Sequence, residues 1–167
     1  AADLRALVEK MNTRGIELLM VRGANPAYTT PPSLGFATAM ANVPFKVSFS
    51  SIPDETTALC DLVLPDHHAL ESWGDAEAVK GVLSLQQPVM DPVFDSRSTA
   101  DVLLSVAKSD PALASRFRAA DYRAMIAERV GGNAALREAL PKAIVRGSSA
   151  TRSVSTSRVA AAPMAES

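Results

Sequence analysis

The most chemically suggestive residues in the chain are clustered at Asp66, His67, His68 and Glu71, where both histidines of the sequence stand beside two carboxylates. Such a group has the composition of a metal or acid–base centre, but its spacing argues otherwise. Adjacent residues rarely face one ion, no third imidazole exists, and an i, i+1 pair lacks the i, i+4 spacing that sets two ligands on one helix face. The expected form is a loop that is exposed or faces an interface, with His68 and Glu71 sharing a helical turn and a pH-sensitive hydrogen bond. Cys60 is the single cysteine, so an internal disulfide and a Cys-x-x-Cys cluster motif are both excluded. Its place in TALCDLVLP, beside an apolar run, is that of a buried small hydrophobe. Gly-x-Ser-x-Gly, the Walker loop and His-Glu-x-x-His do not occur. No catalytic residue and no metal ligand is assigned.

A second group has the chemistry of a binding loop. Gly23, Asn25 and Pro26 follow one apolar run, and Asp54 and Glu55 follow another. If both runs are parallel strands, the two loops lie side by side at the carboxyl ends, where open α/β sheets bind ligands. Glycine allows close backbone approach, and asparagine offers both a donor and an acceptor to a base or ribose. Gly-x-Asn-Pro is equally the chemistry of an ordinary turn, so the cofactor-contacting and the structural readings both stand.

The elements that would position these loops follow from periodicity. Leu4, Leu7, Val8 and Met11 have helical spacing, and Asn12 to Gly15 ends that helix. Ile16 to Val21 reads as a strand buried on both faces. Leu34, Phe36, Ala37 and Met40 mark a second helix, Phe45 to Phe49 a second strand, Asp54 to Thr57 the start of a short helix, and DLVLP a third strand. The order α, β, α, β, α, β predicts an α/β fold with a partial, mostly parallel nucleotide-binding-like sheet over residues 1–66. Residues 67–97 read as a long irregular loop, with Trp73 anchoring it to the core. Helices are predicted from Ser98 or Thr99, from Pro111 to about Val130, and over Asn133 to Leu140, forming a helical segment over 98–146. Residues 147–167 have the composition of a disordered tail or linker.

Composition sets the outer bounds. With 47% hydrophobic and 21% charged residues in 167, the chain can bury a core. No run reaches the roughly 18 apolar residues of a membrane span, and AADLRALVEK lacks the pattern of an export signal. Residues 1–111 carry 8 basic and 14 acidic side chains, whereas 112–146 carry 7 and 3. The basic stretch is read first as a solvated helix face and second as a docking face for an acidic neighbour. Aromatic residues are 5% of the chain, too few to interleave with basic ones, so nucleic acid is excluded as a partner.

Three stretches carry a family resemblance: LLMVRGANPAYTTPP, FKVSFSSIPDETTALCDLVLPDHHALESWGD and GVLSLQQPVMDPVFDSRSTADVLL. Their order resembles the late nucleotide-binding-like domain of the molybdopterin oxidoreductase superfamily. The matching residues are Gly23, Asn25 and Pro26, then Glu55, Thr56 and Asp61, then Val63 to Pro65, Glu71, and Gln87-Pro88. Within that superfamily, the wording is most similar to the large iron–sulfur subunit of alternative complex III.

The resemblance implies a scaffold and interface part of a respiratory quinol:electron-acceptor (cytochrome c) oxidoreductase. It implies no cofactor in this chain, iron–sulfur clusters elsewhere in the parent protein, and loss of molybdopterin. The expected partners are the remaining part of the same subunit and other subunits of a membrane-bound complex, peripheral on the periplasmic face of the bacterial inner membrane. The alternative is the cofactor-contacting domain of an active molybdopterin-dependent oxidoreductase, with Gly23, Asn25, Pro26, Asp54 and Glu55 at the nucleotide end of the pterin. A free-standing nucleotide-binding protein is a third class, disfavoured by the apolar strand edges a partial sheet leaves open. Because the chain starts on a helix that needs a preceding strand, it is expected to be a stretch of a longer polypeptide that catalyses nothing alone.

Overall fold

A computed structural model describes residues 2–147 of the chain. In order it holds α1 (Ala2–Asn12), β1 (Leu18–Val21), α2 (Pro26–Thr29), α3 (Phe36–Met40), β2 (Phe45–Ser48), β3 (Leu62–Val63), β4 (Gly74–Val79) and β5 (Val82–Gln86). There follow α4 (Thr99–Ser109), α5 (Pro111–Ala114), α6 (Tyr122–Val130), α7 (Asn133–Ala139) and β6 (Ile144–Arg146). Strands β1, β2 and β3 form a parallel sheet in that order, and β4, β5 and β6 a separate antiparallel one. The α/β expectation holds. The tail expected over 147–167 lies, from Ser148 onward, outside the described residues.

The first core forms because α1 and α3 lay their apolar faces on one side of the parallel sheet. Val8 and Met11 of α1, Leu19 and Val21 of β1, and Phe36, Ala39 and Met40 of α3 form one buried cluster. Arg14 (φ 56°) ends the first helix in the left-handed conformation, and the Gly15 amide donates back to the Lys10 carbonyl at 2.8 Å. The expectation that β1 is buried on both faces is corrected. Leu18 and Met20 remain 47% and 50% exposed, alternating with buried Leu19 and Val21. Leu18 pairs in register with Phe45, itself 46% exposed, and Met20 with Val47 and hence with Leu62. Parallel strands normally have both faces covered, and here the second face is open at Leu18, Met20, Phe45 and Leu62 while Val47 between them is buried.

The span expected to be irregular carries a hairpin, β4 and β5, turning on Lys80 and Gly81 (φ 78°), with β6 completing its sheet from 58 residues beyond the hairpin's last strand residue. Leu83 and Leu85 point from this sheet into a second core with Ile126, Ala127, Leu136 and Ala139. The helix expected from Pro111 to Val130 is likewise two. It stops at Ala114 and restarts where the Asp121 carboxylate accepts from the Ala124 amide at 2.7 Å. A buried polar group locks α6 to β4: Asp75 accepts from both the Tyr122 hydroxyl and the Arg129 guanidinium, while Arg129 also reaches Glu77 at 3.1 Å.

No residue is common to the two cores. A polar stitch ties the first sheet to the start of α4: Arg22, just past β1, donates from Nε to Asp66 Oδ2 at 2.7 Å and to Thr99 Oγ1 at 3.2 Å, and Asp66 Oδ1 accepts from the Thr99 amide at 2.7 Å. None of the described helices is long and apolar enough to cross a membrane.

Candidate functional site

The loops after β1 and β2 meet as their positions at neighbouring parallel strand ends require. Gly23 turns the chain with φ 65°, and Pro26 starts α2 with the fixed φ suited to a first helical position. Asn25 flanks that helix but does not cap it. Its side chain instead crosses to the second loop, where Nδ2 donates to Glu55 Oε2 at 2.6 Å and Oδ1 accepts from the Thr56 amide at 3.2 Å and the Thr56 hydroxyl at 2.7 Å. Thr56 Oγ1 accepts in turn from the Ala27 amide at 3.0 Å. Thr56 is 1% exposed, so this clasp is the inner support of both loops.

The charges at the clasp are negative. Asp54 accepts from the Thr57 amide at 2.7 Å, and this bond foremost holds its carboxyl below the usual range. Glu55 is lowered chiefly by the Asn25 amide. Both are therefore ionised near neutrality. The helix expected to open at Asp54 is a single 3-10 turn, Thr57–Leu59, too short to present a row of free amides. A nucleotide phosphate does not fit these residues: Asn25 has spent its acceptor and one amide hydrogen, and two carboxylates occupy the loop. Structure thus brings Gly23, Asn25, Pro26, Asp54 and Glu55 together, but as a clasp.

The histidine pair is dispersed. His67 Nε2 contacts the Ser96 carbonyl at 2.9 Å, which requires that nitrogen to carry the proton. The hydrogen bond expected between His68 and Glu71 exists, but it runs from the backbone amide of His68 to Glu71 Oε2 at 2.9 Å, while His68 Nδ1 accepts from the Leu70 amide at 3.2 Å. The pair is a capping box around the short helix Ala69–Glu71. Glu71 also accepts from the Val93 amide at 3.0 Å and so ties down the loop after β5. Among the described residues, no group of three or more His, Cys, Asp or Glu side chains could hold a metal ion.

Cys60 packs partly buried against the first core, its thiol donating to the Thr56 carbonyl at 3.3 Å, and burial pushes that thiol above its ordinary range. Trp73 anchors the start of the hairpin on the second core, with the Arg123 guanidinium 5.4 Å from its ring centre. Two elements escaped sequence reasoning on residues alone. Thr56 entered as part of the expected helix start at Asp54 to Thr57 and through the family pattern, not as the partner of Asn25. The Asp75–Tyr122–Arg129 group joins residues 47 and 54 positions apart and leaves no local pattern.

The comparison with known proteins adds a class. Over 92 residues, the chain is 40% identical to the menaquinone reductase, molybdopterin-binding-like subunit of Nitratidesulfovibrio vulgaris. The match takes in 53% of this chain and only 13% of that subunit's length. No family model matches the chain.

Proposed function

We propose that this chain is a scaffold and interface portion of the molybdopterin-like, iron–sulfur subunit of a respiratory quinol:electron-acceptor oxidoreductase of the alternative complex III type. Electrons travel through iron–sulfur clusters elsewhere in the parent protein, and the assembly sits peripherally on the periplasmic face of the bacterial inner membrane. The observation that carries the reading is the Asn25 clasp. The side chain that would address a pterin nucleotide is spent on Glu55 and Thr56, between two ionised carboxylates. The name of the similar subunit, molybdopterin-binding-like and part of a menaquinone reductase, agrees with a quinone-linked complex. The open sheet face of Leu18, Met20, Phe45 and Leu62 supports an interface with the rest of the subunit.

The test is elemental and pterin analysis of the intact assembly purified with this chain in it. Iron without molybdenum or pterin is the expected result. Molybdenum at one atom per complex would overturn the scaffold reading in favour of an active molybdopterin enzyme.

A further inference from the structure

A cleft of about 680 Å³ opens between the end of β1, the hairpin and the start of α4, and none of its lining residues belongs to the Asn25 clasp. Its size falls in the range of small-molecule sites. Three features of its polar lining suit an anion. The Arg22 guanidinium, whose charge is permanent, spends only Nε on Asp66 and Thr99, and its terminal nitrogens have no partner among the described residues. The eleven-residue α4 points its N-terminus at the cleft, with Ser98, Thr99 and Ala100 in the lining. Ser98, at the cap position, is 7% exposed yet makes no cap bond, and its hydroxyl has no partner among the described residues. A buried hydroxyl without an acceptor or donor is costly unless a ligand completes it.

The remaining charges do not cancel this. Asp66 is held by the Arg22 Nε and the Thr99 amide, which orients the guanidinium without covering its outer edge. The Asp75 carboxylate in the cleft is already neutralised by Arg129 and bonded by Tyr122. Trp73, Leu85 and Leu103 add apolar side chains to the lining.

From this arrangement we infer that the cleft binds a small organic anion, its phosphate or carboxylate head on Arg22 and Ser98 and its flat apolar body against Trp73. This goes beyond the scaffold reading and does not depend on it: a chain that holds no pterin can still hold such a ligand.

The test titrates the full chain with phenyl phosphate, benzoate and inorganic phosphate, following the fluorescence of Trp73, the sole tryptophan, and the heat of binding. Saturable binding is expected for phenyl phosphate or benzoate, and the choice between them identifies the head group. Inorganic phosphate should bind at least about tenfold more weakly for want of the apolar contact. Ser98→Ala should keep the thermal midpoint and weaken binding by about tenfold, because it removes a hydrogen bond to a charged group and no bond within the protein. Arg22→Gln should abolish saturation; its midpoint, measured alongside, separates lost binding from lost folding. The proposal is overturned if no organic probe saturates, if inorganic phosphate binds as tightly as phenyl phosphate, or if Ser98→Ala binds as the parent does.

Discussion

Replacing Asn25 by alanine tests whether the clasp holds the fold. The substitution removes three hydrogen bonds at once, and their contributions differ. The bond to Glu55 lies at the surface and competes with water, so its loss weighs little. The two bonds from Thr56 are another matter, since that residue is 1% exposed and both its amide and its hydroxyl lose their acceptor. A buried donor left without a partner costs about 1–3 kcal/mol. Asn25 itself is half-buried, so water reaches part of the vacated space and the low end applies, giving about 2–4 kcal/mol for the pair. That is a large share of the roughly 5–15 kcal/mol by which a domain is stable. For a chain of this size it lowers the thermal midpoint by about 5–15 °C. Urea denaturation of parent and Asn25→Ala, followed by far-UV circular dichroism, measures it. Asn25→Asp is the companion: it keeps an acceptor for Thr56 but sets a carboxylate against Glu55, so it should fall between the two and recover as the pH is lowered. An Asn25→Ala midpoint within about 0.5 kcal/mol of the parent would refute the clasp as a support.

Further outcomes follow from other groups. Asp54, Glu55, Asp61 and Glu71 are all lowered, first by the Thr57 amide, the Asn25 amide, the Lys46 side chain and the His68 amide respectively. The folded chain therefore binds protons less readily than the unfolded one. Their stabilisation is complete above the unfolded values near about 4 and is lost as the pH falls through the depressed folded values. Urea midpoints should be flat above about pH 5 and drop below about pH 4; a rise on acidification would contradict the assignment. Burial first, and then the bond to Asp75, push the Tyr122 phenol to about 12. An alkaline absorbance titration should show a tyrosine ionising there that is missing from Tyr122→Phe, which should also lose about 1–2 kcal/mol of stability. Arg14 holds a left-handed conformation that glycine adopts without penalty, so Arg14→Gly should leave stability unchanged or raise it by about 0.5 kcal/mol. A clear loss would mean that the Arg14 side chain makes a stabilising contact.

The first sheet was legible because its signals are local. Apolar runs end in Gly23 and Pro65, helical spacing separates them, and strand-loop-helix order alone predicts that the Asn25 and Glu55 loops adjoin. Burial of β1 on both faces failed as an expectation because Leu18 and Met20 are apolar yet uncovered, and a sequence records the composition of a face without recording its neighbour. The hairpin failed for a different reason. Gly74-Asp75-Ala76-Glu77-Ala78-Val79 holds a single β-branched residue, Val79, and no aromatic one, and its acids are held by Arg129 on a distant helix. Gly81, at φ 78°, is the local mark of the turn between the two strands. In α5 and α6 the apolar spacing ran on through the break, and only Asp121 before Tyr122 marked the new start. The clasp residues were legible as a group. Their bonding to one another was not, because donor and acceptor atoms can serve a ligand or a neighbour equally well.

The stitch of Arg22, Asp66 and Thr99 has a mechanical meaning. Each core is held by apolar burial, which salt leaves largely intact, whereas Arg22 and Asp66, both at the carboxyl ends of the first sheet, form a pair whose arginine is 64% exposed and which salt weakens. That pair reaches the start of α4 through the Thr99 hydroxyl and amide. High salt should therefore loosen the hold of the first sheet on the start of α4 before it melts either core.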